Sequence, residues 1–406
     1  MKNSHKNATS LTKTVLVVAA LLLGACGSDS EEAVASRGRL VLSSTTDSQV
    51  FVADLDTAEV YPFPVQANAA FIWGWAESPY AWVVHYPHNR VELIDSGSRF
   101  TPGGAVEKSV PLLHDFSLDG AAPTHVTRHD GWFSVYFDGI GEARLISEAG
   151  VENGPSVAEV VPTNIPHHGV ALVTHDHIVI TEGREATPED DAEQWGPTIP
   201  TSVSIRTLAA PTDVVHQSEE CTKLHGEATV GSTIAYGCDE GILLVTVDDA
   251  GPRSNRLNYP SESPFRTFTF RAAGNGFLGD YGAGLLYVEP GDDSAQTWAL
   301  PDDVMQVAFA VDEATNNWIV LGIDGRLYRV SGADRTLLGA PVEVRAPIED
   351  PSVRLSLVVA SDTVYVLDAS STSVVAVDTN SWTVSPERTL EMPTPVASGA
   401  VVAMTR

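Results

Sequence analysis

Basic residues are few in this sequence: 24 lysines and arginines face 53 aspartates and glutamates, for a formal net charge of -29. A surface of that sign repels nucleic acid and anionic lipid and attracts cations, although most such charge serves solubility. Beyond the first 25 residues no long stretch carries a helical period, which sets aside helical folds. Catalytic signatures are missing too. There is no Gly-x-Ser-x-Gly elbow, no His-Glu-x-x-His helix and no phosphate-cradling glycine loop. Cysteines number only three, and one of them belongs to the leader.

That leader has Lys2, Lys6 and Lys13, an apolar run from Val15 to Leu23, and then Leu23-Gly24-Ala25-Cys26. It is too short to span a bilayer and reads as a secretory signal over residues 1–25. The tetrapeptide resembles a bacterial lipobox, with Cys26 as the lipidated first residue; an ordinary signal with an incidental cysteine is the alternative. Gly27 after the cysteine points to the outer membrane. Residues 26–37 are small, polar and acidic, the composition of a flexible tether. Losing residues 1–25 removes three lysines and no acids, so the charge moves from -29 to -32. In an oxidising compartment the remaining pair, Cys221 and Cys238, is expected to form a disulfide. Such a bond contributes about 3 kcal/mol by the chain-entropy model. Two thiolate zinc ligands are the alternative.

From residue 38 to 406 the chain shows short apolar β runs separated by turn residues. One element recurs eight times, an apolar strand ending in a polar, turn-forming residue: Val50–Asp54, Val91–Asp95, Ala143–Ser147, Val203–Thr207, Leu244–Asp248, Leu285–Glu289, Leu327–Ser331 and Val374–Asp378. Opening strands fall near Ala70, His125, His168, His225, Arg266, Gln306, Arg354 and Thr394, at steps of 40 to 57 residues. Blades of about 40–50 residues make this an all-β propeller of eight blades, with seven as the fallback count. Paired sandwiches would not explain so regular a return. The chain starts in mid-blade and ends on a lone inner strand, Pro393 to Met404, so the two termini are expected to close the ring. Two insertions, Gly97 to Ala122 and the acidic Glu182 to Trp195, flank the blades considered next.

Three histidines stand at the heads of consecutive strand runs: Pro123-Thr124-His125, Pro166-His167-His168-Gly169 and Leu224-His225-Gly226-Glu227. Turn glycines Gly139, Gly183 and Gly241 follow them by 14, 15 and 16 residues. In a propeller, such points meet at one mouth of the central channel, where three neutral imidazoles suit zinc. Candidate fourth ligands are His167, Asp138, Glu227 or water; period-two alternation allows only one of His167 and His168 to face the ion. The bland reading is that these histidines lock neighbouring blades. His129 is too far along its strand to share the ion easily. His85, His88, His175, His177 and His216 read as turn or surface residues, with His175-Asp176-His177 a weak secondary site.

Several motifs in order, Pro123-Thr124-His125 to Phe137-Asp138-Gly139, Pro166 to Ala171, Leu224 to Ala228, Cys221 with Gly237 to Gly241, and Leu278 to Gly282, resemble the AztD family of periplasmic zinc metallochaperones, which serve a zinc ABC transporter. The likeness spans nearly the whole mature chain. It implies a propeller that binds Zn(II) through histidines and passes it to a zinc-specific solute-binding protein. Two departures stand out: the family's His- and Asp-dense loop is reduced here to His114 and Asp115, and this chain carries a lipobox. Three other possibilities are weighed beside it: an outer-membrane scaffold lipoprotein with structural histidines, a metal-dependent hydrolase or lyase using water on the triad, and copper in place of zinc. A monomer is expected.

Overall fold

The eight recurring segments are the third strands of eight antiparallel sheets. Five of them end in an acid, and four of these aspartates show what the position does. Asp54 accepts hydrogen bonds from the N–H groups of Asp56 and Thr57, Asp95 from that of Gly97, Asp248 from that of Ala250, and Asp378 from those of Asn380 and Ser381. Each side chain thus stands in for backbone and turns the chain towards the outer strand. The structure is a computed structural model, and it describes residues 36–69, 71–102, 105–190, 196–260, 265–350 and 352–405.

Blades are numbered here in chain order. The first consists of Arg39–Ser44, Gln49–Asp54 and Val60–Pro64, with Val396–Val402 as its innermost strand. Val41 pairs with Ala400 and Leu42 with Gly399. The ring therefore closes with the expected pairing of termini, and eight is the blade count, not seven. Inner strands of the next seven blades begin at Phe71, Pro123, Ala171, His225, Phe270, Gln306 and Leu355. Middle strands are buried on both faces between neighbours. Trp82 of the second blade, fully buried, meets Phe133 of the third at 5.4 Å between ring centroids; burying one such side chain contributes about 1.5–3 kcal/mol.

The expected lipobox cysteine and nearly all of the tether lie outside the described residues. Contacts of the ring reach back to Ser36, whose hydroxyl donates to Asp56 at 2.9 Å and whose carbonyl accepts from the Thr405 N–H at 3.1 Å.

Both insertions differ from plain loops. Leu112–Asp119 supplies the outer strand of the second blade, and Ser98–Phe100 with Val106–Lys108 forms a small hairpin; residues 103–104 lie outside the described set. In the fourth blade His177–Glu185 and Thr198–Thr207 run on together as one long hairpin up to residues 191–195, which are not described. Gly183 is consequently not a turn residue. It sits at a bulge in that strand, where an added Cβ would come 2.8 Å from Cγ of His167, so a ring from the loop beside it requires glycine here.

Candidate metal centre

His125 lies on Pro123–His129 of the third blade, His225 opens His225–Val230 of the fifth, and His168 sits just ahead of Ala171–Thr174 of the fourth. All three occupy the entry ends of innermost strands in consecutive blades. Register breaks between Pro123 and Val126, and again between His225 and Ala228. Such bulges re-aim a side chain, here into the channel. The second one depends on Gly226, at φ +69°, where an added Cβ would stand 2.4 Å from the Phe268 carbonyl oxygen.

Nε2 of His168 is 3.3 Å from Nε2 of His125 and 3.1 Å from Nε2 of His225. Two nitrogens bound to one zinc at tetrahedral angles are about 3.3 Å apart. Hydrogen bonds at the far side of two of the rings fix their tautomers. His225 Nδ1 lies 2.7 Å from the Phe268 carbonyl oxygen, which can only accept, so Nδ1 carries the proton and the neutral ring leaves Nε2 bare. His168 Nδ1 donates likewise to Asp138 Oδ2 at 2.7 Å. Two lone pairs therefore face each other at 3.1 Å, an arrangement that needs a cation or proton between them. His125 is held by Trp73, whose ring centroid is 5.7 Å away and whose indole N–H donates to the Thr124 carbonyl at 3.2 Å. Its buried Nδ1 makes no hydrogen bond and lies 3.6 Å from Glu227 Oε2.

The protonation behaviour follows. Burial, with His168 and His225 adding repulsion, holds His125 well below the usual imidazole range. Burial and His168 lower His225 to about 4. For His168, burial opposes the charged form, but the Asp138 carboxylate outweighs it and the value rises. Burial raises Glu227 to about 7. At neutral pH the cluster thus presents two neutral imidazoles and a third that is easily protonated.

Among the described residues, these three histidines are brought together as ligand atoms within 4.8 Å of one another. The candidate fourth ligands are placed apart. His167, 2% exposed, turns the other way, with Nδ1 2.7 Å from the Ile165 carbonyl and Nε2 3.0 Å from the Thr181 hydroxyl; it locks two blades. Asp138 is spent on orienting His168, and it also accepts from the Thr124 hydroxyl at 2.6 Å and from the Gly169 N–H at 3.3 Å. Glu227 alone of the three lines the cavity below the triad.

Among the other histidines, His129 bonds the Val173 carbonyl at 3.1 Å, one blade over. His175 and Asp176 form a tight turn, both at positive φ. His85 is a correction: it is fully buried, with Nε2 2.8 Å from Glu92 Oε2, and no neighbouring charge pattern in the sequence marked it as interior. Sequence reasoning also missed Phe268, because a carbonyl that orients a ring has no residue signature. Cys221 and Cys238 form a disulfide, with Cα atoms 5.2 Å apart, which ties the approach to His225 onto its own blade and removes both sulfurs as ligands.

No protein-family model matches the chain. It is 27% identical over 315 residues to the zinc chaperone AztD of Citrobacter koseri, covering 74% of this chain and 72% of that protein. Two solved structures of Citrobacter koseri AztD, one of them apo, share the fold with TM-scores of 0.78 and 0.77 at 24% identity, over 89% of this chain and 96% of each. Dihydro-heme d1 dehydrogenase NirN shares it more loosely, with a TM-score of 0.58 at 10% identity over 89% of this chain and 74% of that one. The presence of an enzyme among these neighbours means that the propeller alone says nothing for or against catalysis. By sequence and by fold together, the chain resembles the AztD-type zinc chaperone.

Proposed function

We propose that this chain is a zinc carrier of the bacterial envelope, which holds one Zn(II) through Nε2 of His125, His168 and His225 and passes it to the zinc-specific solute-binding protein of an ABC transporter. The observation that carries the reading is the convergence of three imidazole Nε2 atoms at the spacing of zinc ligands, with His168 oriented from behind by Asp138, His225 by the Phe268 carbonyl and His125 by the Trp73 ring. Similarity to a zinc chaperone favours zinc over copper, which the same imidazoles would also bind. Carriage is favoured over hydrolysis because, among the described residues, the two carboxylates nearest the triad are placed for other work: Asp138 is committed to His168, and Glu227 stands on the Nδ1 side of His125, away from Nε2. A pure scaffold has no use for two lone pairs that face each other beside a third imidazole.

In this reading the leader directs export, Cys26 anchors a monomer to the outer membrane through lipid, and the acidic surface concentrates cations around it. Transfer is tested by mixing the zinc-loaded chain with the apo solute-binding protein of the same organism. Zinc should pass at a rate that rises with acceptor concentration and exceeds its release to a metal chelator. A rate equal to spontaneous release would leave a storage protein in place of a carrier.

A further inference from the structure

The triad stands between two openings. A cavity of about 640 Å³ runs down the inner strands from His125 and His225, past Glu227 and Arg271, to Glu77 and Glu313 at the strands' exit ends. A second cavity, of about 420 Å³, opens at that exit face among the turns containing Ala314, Asp362 and Thr405. Trp75, Glu77 and Glu313 line both, so the two border on each other at these side chains. His168 does not line this channel, yet 30% of its side chain is exposed, at the entry face. One ring of the cluster thus meets solvent at the entry mouth while the other two meet the channel.

We propose that the central channel is a separate cation path, through which hydrated zinc reaches the triad from the exit face while the entry mouth serves the partner. This rests on the zinc-carrier reading and extends it to direction. A docked acceptor covers the mouth next to His168; the channel leaves the triad open to refilling from behind. The charges along the path are ordered for it. Glu77 and Glu313 stand at the outer end and Glu227 at the inner end, and carboxylates at the mouth of a low-dielectric passage raise the local cation concentration. Two guanidinium groups also face it. Arg128 is held by Glu148 at 2.9 Å and lies 3.9 Å from Glu77, so the outer carboxylates act with a partner beside them and the net charge of that end is what draws the cation. Arg271, exposed to the cavity, donates to the Phe270 carbonyl at 3.2 Å and stands across the way as a barrier. The path therefore has attraction at its ends and one repulsive step within it.

The test uses the full chain, metal-free, with zinc ion as the probe, mixed by stopped flow against a fluorescent zinc indicator. Ala272→Trp places a ring in the channel and Ala314→Trp places one at the exposed exit turn, both away from the imidazoles. Each should slow zinc uptake and release together by on the order of tenfold, leaving the equilibrium affinity unchanged. Glu77→Gln with Glu313→Gln should slow uptake by roughly threefold and weaken its salt dependence, whereas Arg271→Gln should speed it. Unchanged rates in the folded Ala314→Trp chain would overturn the path, whether or not the Ala272→Trp chain folds. The carrier reading is judged separately by the wild-type zinc affinity, which these rates do not enter.

Discussion

The third and sixth blades carry an aspartate at the same place in the repeat, and the two do different work. Asp138 and Asp280 each follow the second strand's apolar run, and their backbone N–H groups donate to the residue just before the inner strand, to Ala122 at 2.9 Å and Thr269 at 3.2 Å. Asp280 then accepts from the N–H groups of Phe268 and Thr269 at 2.9 and 2.6 Å, which pins the loop whose carbonyl orients His225. Asp138 instead reaches the next blade and takes the Nδ1 proton of His168 directly. A carboxylate in this position is thus a structural device of the repeat. It orients a ring of the histidine triad when the adjacent blade supplies an imidazole, which the fourth blade does and the seventh does not.

The contrast can be broken by substitution. Asp138→Asn keeps the shape and removes the charge behind His168, so zinc affinity should fall by about 10–100-fold with little loss of stability. Asp280→Ala leaves two backbone N–H groups unpaired. It should cost roughly 1–3 kcal/mol in denaturant unfolding while weakening zinc by less than about tenfold. Equal affinity losses in both would mean that the two aspartates support the site in the same way.

A smaller effect sharpens the same comparison through pH. His168 has a value raised by Asp138, so zinc must displace its proton first, and affinity should begin to fall above the ordinary imidazole value of about 6.5. His125 and His225 are lowered, the latter to about 4, so they stay neutral and add further proton competition only in strongly acidic buffer. His168 supplies one such proton, and Glu227, raised to about 7 beside His125, a second where zinc drives its release, so the slope should lie between one and two decades per pH unit through the first window. In Asp138→Asn the raising charge is gone while burial remains, and the onset should shift to lower pH. Calorimetry in buffers of different ionisation enthalpy reads the proton count; three or more protons released near pH 6 would contradict this assignment.

Much of this was legible before the structure, because propeller blades repeat in one dimension and the repeat carries its own register. The eight third strands end in residues such as Asp54 and Asp378 whose turn chemistry is local, so they were readable one at a time. His125, His168 and His225 were readable because a repeated position maps onto a shared mouth. What stayed hidden depends on contacts between blades. His167 and His168 are neighbours in sequence, and which of them joins the triad is decided by the space that Gly183 leaves for the His167 ring. Asp138 looked like a candidate ligand because composition alone does not distinguish a carboxylate that binds metal from one that orients its ligand. Gly183 itself looked like a turn because the long hairpin of the fourth blade continues the strand through it.

The central claim is that three imidazoles from three blades hold one zinc. Its most direct test is metal content together with X-ray absorption at the zinc edge, on residues 28–406 and on the His125→Ala/His168→Ala/His225→Ala chain. Close to one zinc per wild-type chain is expected, with three nitrogen scatterers at about 2.0–2.1 Å, and none in the folded variant. Zinc retained by the variant, or a wild-type chain that takes up no zinc when it is supplied, would contradict the site and leave the three histidines as locks between blades.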